Sequence, residues 1–239
     1  MWRVGTVVAL HDETATARMI KLEVPDWPGH VAGQHVDVRL TASDGYSAVW
    51  SYSIASAPNS ERRVELTVER LPNGEVSPYL TQEVAVNDRL ELRGPIGGWF
   101  VWGAQQSEPI QLIAGGSGIV PLMDMIRSRA SAGSTAPFRL LYSVREPGAV
   151  LYRDELQARS DHDRSVTYTR ATPVYWPRPP SRIDAALIAN TTWPANLVPT
   201  CYVCGPTSFV ESATGFLIAS GNGRDKIRTE RFGPTGDRK

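Results

Sequence analysis

The sequence predicts two domains in series, an antiparallel β-barrel followed by a doubly wound α/β domain with a parallel sheet. Two changes of pattern carry that expectation. Up to residue 104, apolar residues come in short or alternating runs parted by turn signals, the grammar of small β-barrels. From Pro109 onward, short buried runs alternate with helical stretches, the grammar of a parallel sheet covered on both faces. The expected domains span 1–104 and 109–239, joined through the polar, aperiodic segment 103–108. A chain of 239 residues is long enough for two small domains.

In the first half, strands are expected over 4–10, 17–24, 35–40, 49–55, 64–70 and 88–94, with one short helix over 76–84. Val64, Leu66 and Val68 alternate with Arg63, Glu65, Thr67 and Glu69, which marks a half-buried strand. Turns are expected at Asp26-Trp27-Pro28-Gly29, Ser43-Asp44-Gly45, Ala57-Pro58-Asn59 and Leu71-Pro72-Asn73-Gly74. In the second half, strands over 110–114, 138–144, 165–169 and 200–203 alternate with helices over 118–132, 152–159, 182–189 and 207–220.

Hydrophobic residues make up 41% of the chain and charged residues 21%, enough apolar material for packed cores. The 25 basic and 25 acidic side chains cancel, which argues against a nucleic-acid partner. No apolar run approaches the ~18 residues of a membrane span. The first residues, Met1-Trp2-Arg3-Val4-Gly5, lack the apolar stretch of a signal peptide, so a cytoplasmic location is expected. The two cysteines, Cys201 and Cys204, fall in an expected strand, where residues three apart face opposite sides. That spacing disfavours a redox dithiol, and without a second ligand pair no metal site is expected.

Three segments carry chemistry. Ala114-Gly115-Gly116-Ser117-Gly118-Ile119-Val120-Pro121 follows a buried strand and opens a helix, where glycines admit a phosphate close to free backbone N–H groups. Leu71-Pro72-Asn73-Gly74-Glu75-Val76-Ser77-Pro78 also runs from strand to helix. There Ser77 serves as a phosphate ligand, as the helix N-cap with Pro78 behind it, or as both. Trp50-Ser51-Tyr52-Ser53-Ile54-Ala55 is by itself a strand leading into a turn.

In this order, and over essentially the whole chain, these segments resemble the ferredoxin–NADP+ reductase family, in particular bacterial flavin-containing members without an iron–sulfur domain. The resemblance implies a flavin-type barrel and a nicotinamide-type α/β domain. It places Tyr52 on the isoalloxazine ring and Ser53 near the hydride-accepting N5. It assigns Gly74, Glu75, Val76 and Ser77 to the flavin phosphate, and Gly115, Gly116, Gly118 and Pro121 to the nicotinamide cofactor. Gly94-Pro95-Ile96-Gly97 matches the turn that ends the family's barrel. Ser143 and Arg145 match the adenosine contacts, Cys204, Gly205 and Pro206 the segment beside the reacting nicotinamide, and Phe232 the carboxyl end near the flavin. The implied activity is hydride transfer from NADPH or NADH to FAD or FMN, with electrons passed to a separate acceptor protein or small-molecule substrate. Ser53 and Cys204 are the implied catalytic residues.

Two departures matter. The family places an arginine on the flavin phosphate where this chain has Trp50, a neutral side chain with a single donor. In Tyr175-Trp176-Pro177-Arg178-Pro179-Pro180-Ser181-Arg182, Ser181 stands where the family has glycine, although Arg182 follows as expected. Tyr175 and Trp176 are then candidates for a substrate or partner surface, and Trp99 falls where the domains should meet. These departures motivate an alternative, a repurposed fold performing a cyclisation or isomerisation with flavin structural or absent. His35 is expected to be packed within its strand, and His162 to sit in a solvated turn.

Overall fold

The computed structural model describes residues 1–42, 44–58, 62–71 and 73–232. Ser43, Asn59 and Pro72 of the expected turns lie outside the described residues.

Six antiparallel strands form the first sheet: β1 (Trp2–Thr14), β2 (Ala17–Glu23), β3 (His35–Thr41), β4 (Ser47–Ser53), β5 (Arg63–Glu69) and β6 (Arg89–Ile96). Their order is β4-β3-β6-β1-β2-β5. The two outer strands meet through an antiparallel bridge between Ile54 and Leu66, and the Ala55 N–H donates to the Glu65 carbonyl at 2.8 Å, so the sheet closes. The inward phase of β5 supplies Val64, Leu66 and Val68 to a core shared with Ile20, Leu22, Val36 and Leu92. Each such side chain is fully buried, which stabilises the fold by roughly 1.5–3 kcal/mol apiece. Helix α1 (Ser77–Gln82) adds Leu80 to the same core.

The second sheet is wholly parallel. It comprises β7 (Ile110–Gly115), β8 (Phe138–Val144), β9 (Asp163–Tyr168), β10 (Thr200–Pro206) and β11 (Ile227–Phe232), ordered β11-β10-β7-β8-β9. Helices α2 (Ile119–Ser131) and α3 (Arg153–Ala158) pack on one face, α4 (Ala185–Thr191) and α5 (Thr207–Ala219) on the other. The alternation of strand β10 divides its cysteines as expected. Cys201 joins the core under α4 and α5, and Cys204 the core under α2. Among the described residues no helix is long and apolar enough to cross a membrane.

Several expectations need correction. Strand β11 was not expected, because Ile-Arg-Thr-Glu-Arg-Phe carries too few apolar residues to read as a buried strand, yet it pairs with β10 along six residues. Helix α4 begins at Ala185 rather than 182, since the Asp184 carboxylate accepts the Leu187 N–H at 2.7 Å and sets the N-terminus there. Ser77 is not an N-cap. The cap position is Val76, and the Ser77 hydroxyl instead accepts the Leu71 N–H at 3.0 Å, tying the preceding loop to the helix. His162 is not in a solvated turn; it is buried, with Nδ1 3.0 Å from the Asp161 carboxylate.

The two sheets are joined by a mixed seam. Phe100 and Trp102, just past the barrel, insert edge-on against Tyr202 and Phe138 of the parallel domain. Asp124 of α2 accepts the Gly33 N–H at 2.8 Å, Arg127 donates to the Ala55 carbonyl at 2.9 Å, and the Tyr152 hydroxyl donates to Thr67 at 2.6 Å. This seam fixes the cleft that opens beside it.

Candidate active site

Doubly wound sheets bind ligands at the carboxyl ends of their strands, where the strand order reverses. Here the reversal lies between β7 and β10. Strand β7 ends in Gly115, a 3₁₀ turn follows over Gly116–Gly118, and helix α2 starts at Ile119. Packing dictates the glycines. A Cβ on Gly118 would lie 2.1 Å from the Cys204 carbonyl oxygen, and one on Gly115 or Gly205 would strike the Phe209 ring at 2.7–2.8 Å. The glycine turn and the Cys204-Gly205-Pro206 segment are therefore in backbone contact, as the sequence motifs require. Cys204 itself is buried beneath the turn, and burial pushes its thiol well above the usual range, assisted by the nearby Glu230 carboxylate.

Facing this turn, a cleft runs between the domains. Trp50, Ser51, Tyr52, Ser53, Thr67, Glu69, Leu71 and Ser77 line it from the barrel, and Ser117, Val120 and Phe232 from the parallel domain. Five sequence-predicted site residues thus come together: Trp50, Tyr52, Ser53, Ser77 and Phe232. Thr67 and Glu69 were missed. Their signal was the outward phase of β5, which is polar at alternate positions and turns toward the cleft instead of bulk water. A separate groove, lined by Asp12, Arg18, Arg70 and Gln82, lies elsewhere on the barrel and holds none of the expected residues.

Besides Trp102 Nε1 in the seam, two polar atoms at the domain junction are buried without a partner among the described residues. The Tyr52 hydroxyl is one, and desolvation raises its pKa. Glu230 Oε2 is the other, and burial pushes that carboxyl up to about 7. The other Glu230 oxygen stands 3.7 Å from His35 Nδ1, while burial lowers the His35 pKa against the opposing pull of Asp37. At neutral pH this contact joins a neutral imidazole to a partly protonated carboxyl. His35 is thus packed in its strand, as expected, and it also meets the second domain. The sequence placed Glu230 only within the carboxyl-end segment Thr229-Glu230-Arg231-Phe232 and gave it no role of its own, because nothing announces the burial of a glutamate between Thr229 and Arg231.

A second pocket opens on the opposite face of the parallel sheet. Ser143, Thr169, Arg182, Ile183, Ser208, Phe209 and Ser212 line it. It gathers Ser143 as expected but not Arg145, which is exposed and outside the lining. Arg182 is its cation. Tyr175 is fully exposed, and Trp176 packs edge-on against Tyr168 at 5.0 Å, so neither lines the cleft. Gly74 sits tight against Ser77, Glu75 is exposed with its carboxylate accepting the Tyr46 hydroxyl at 3.2 Å, and Val76 is buried in the barrel core. Pro121 is buried in the first turn of α2.

An aromatic-walled cleft with an orphaned Tyr52 hydroxyl, set against a glycine turn at the switch point, fits a planar heterocycle on one side and a dinucleotide on the other. Comparison with known proteins agrees. Residues 6–101 match the oxidoreductase FAD-binding domain model and residues 112–214 the oxidoreductase NAD-binding domain model. The chain is 25% identical over 206 residues to the reductase component of propane 2-monooxygenase from Rhodococcus jostii, covering 84% of this chain and 55% of that protein. It is 26% identical to the toluate 1,2-dioxygenase electron transfer component of Pseudomonas putida, covering 92% of this chain and 64% of that protein. The chain thus spans about half to two thirds of these relatives. In fold it superposes on the flavohem-like FAD/NAD-binding domain of nitric oxide dioxygenase from Vibrio cholerae with a TM-score of 0.85 at 23% identity, covering 97% of this chain and 99% of that one.

Proposed function

The chain belongs to the ferredoxin–NADP+ reductase-like family, and from that premise we propose that it is a flavin-dependent NAD(P)H oxidoreductase that delivers electrons to a separate acceptor. The observation that carries the proposal is the interdomain cleft. Tyr52 and Phe232 offer aromatic faces, the unpartnered Tyr52 hydroxyl awaits a polar partner, and the glycine turn stands opposite. A flavin supplies the hydride-accepting chemistry when bound. The protein supplies orientation and dryness. Ser53 presents a hydroxyl to the ring, and Ser117 and Val120 bring the nicotinamide side against it. Cys204, held neutral beneath the glycine turn, shapes the nicotinamide floor rather than acting as a nucleophile. The relatives reported above are electron-transfer components by name, which favours the redox reading over the non-redox alternative.

The nicotinamide cofactor we favour is NADPH. Arg182, with Ser143, Ser208 and Ser212, forms a cationic, hydroxyl-rich pocket suited to a 2′-phosphate. Ser208 lies in the first turn of α5, whose free N–H groups favour an anion. The two free, buried thiols suit a reducing compartment, in keeping with a cytoplasmic location. The test is anaerobic mixing of protein, flavin and NADPH, followed at the flavin absorption band. Bleaching of the band supports the function. A band that stays oxidised at saturating NADPH and NADH refutes it.

A further inference from the structure

The cleft fits the head of a flavin and not its phosphate tail. Along the barrel wall the charged lining group is Glu69, a carboxylate, and no lysine or arginine lines the cleft among the described residues. Within the Gly74–Ser77 turn a second carboxylate, Glu75, accepts the Tyr46 hydroxyl. Trp50 stands half-exposed where the resemblance calls for an arginine. Arg39 of β3 and Arg93 of β6 are already paired. Arg39 forks onto Glu91 at 2.6 and 2.9 Å, and Arg93 donates to Asp37 at 2.5 and 3.0 Å. Ser77 already accepts one backbone N–H, which leaves its single hydroxyl proton for a ligand. A phosphate here would meet carboxylates without a counter-ion, whereas an isoalloxazine ring and ribityl chain would meet Tyr52, Phe232, Trp50 and the hydroxyls of Ser53 and Thr67.

We infer that the site binds flavin through its ring and ribityl chain alone, so that the flavin is an exchangeable co-substrate and not a resident group. The inference rests on the reading of the cleft as a flavin site. Riboflavin, FMN and FAD then bind with comparable, weak affinity, because the tail gains no charge-assisted bond. In the reaction the nicotinamide C4–H bond breaks and its hydride, carrying two electrons, forms the N5–H bond of the flavin. A solvent proton adds at N1, and NAD(P)+ and dihydroflavin leave. The free dihydroflavin carries the electrons to the acceptor.

The test is a titration of the flavin-free full chain with riboflavin, FMN and FAD, followed by quenching of flavin fluorescence. The expected result is three dissociation constants in the micromolar range and within about threefold of one another. In Trp50→Arg, FMN and FAD should tighten by roughly ten- to a hundredfold, the worth of a charge-assisted bond, while riboflavin tightens by no more than threefold. Glu69→Gln, a change that preserves shape, should shift FMN and FAD the same way by a smaller factor and serves if the arginine variant does not fold. Co-purification of stoichiometric FAD, or a preference of the unaltered protein for FAD over riboflavin above tenfold, overturns the inference while sparing the reductase function. Failure to bind any of the three overturns the flavin site itself.

Discussion

Gly116 and Gly118 lie in one short motif but answer to different physics, and alanine at each separates the two. Gly118 has an ordinary helical backbone, so its need for glycine is steric. Its added Cβ would lie 2.1 Å from the Cys204 oxygen, 2.5 Å from the Cys204 carbonyl carbon and 2.8 Å from Gly205 N. Ordinary contact begins near 3.4 Å, so turn and strand must part by more than 1 Å. All three obstacles are backbone atoms of a central strand, paired on both sides by β7 and β11, and cannot swing aside. The cost should reach the top of the overpacking range, roughly 3 kcal/mol. For a chain of this size that lowers the melting temperature by roughly 6–12 °C. Gly116 has φ +55° and nothing within 4 Å of its Cβ position, so alanine there pays only left-handed strain, roughly 1 kcal/mol. Function should follow the same order. A displacement of ~1 Å at the nicotinamide site costs about a hundredfold in turnover, so Gly118→Ala should lose that much and Gly116→Ala less than tenfold. Thermal melts and steady-state NADPH oxidation read both effects. Equal stability of the two variants, or the reverse order, would refute the backbone-contact account.

Three further outcomes are expected. Burial pushes the Asp124 carboxyl from 3.8 up to about 8, so the folded state keeps a proton that the unfolded chain has lost. This contribution to stability is therefore greatest below pH 4 and falls as pH rises toward 8, by up to about 1.4 kcal/mol per pH unit. Asp124→Asn removes that fall, and its melting temperature should gain on the parent's steadily from pH 5 to pH 8; parallel curves would sink the argument. Arg182→Ala should raise the KM for NADPH about tenfold and leave that for NADH within twofold, and equal effects on both would remove Arg182 from the 2′-phosphate. Tyr52→Phe deletes an unpartnered buried hydroxyl, so the flavin-free protein should be as stable as the parent or up to about 1 kcal/mol more stable, while riboflavin binding weakens roughly five- to tenfold. A less stable flavin-free variant would mean that the hydroxyl has a protein partner.

The barrel and the sheet were legible because their cores obey a period. Residues 138–144, Phe-Arg-Leu-Leu-Tyr-Ser-Val, are mostly apolar and form β8 with those bounds. Strand β11 was illegible for the complementary reason. Its burial comes from lying against β10, and a strand buried by its neighbours need not carry an apolar pattern of its own. Motif order located both walls of the cleft, yet the residues that set its character were hidden. Thr67 and Glu69 read as solvent-facing members of an alternating strand. They line a site only because the second domain stands opposite them.

What places the second domain there is a set of polar residues whose burial no local pattern reveals. Asp124 lies between Met123 and Met125 in a helix that is otherwise apolar at its centre, a position that reads as a defect. In the structure its carboxyl takes the Gly33 N–H from across the seam and lies 3.9 Å from His30 Nε2. The latter nitrogen is 2.9 Å from the Ser56 carbonyl and must carry the hydrogen, so Nδ1 is the acceptor for the Trp27 N–H. Burial lowers the pKa of His30 while it raises that of Asp124, so the two meet as neutral groups. A neutral pair escapes the desolvation penalty of a buried ion pair and still satisfies the groups that face it. Arg127 completes the seam as a paired cation, held between Glu65 of the barrel and Glu155 of the parallel domain. The seam therefore joins the domains through directional bonds as well as apolar surface. Directional bonds fix an angle between two bodies, which packing alone leaves free to slide. Hydride transfer needs that angle fixed, because donor and acceptor sit on different domains and reactivity falls steeply with misplacement.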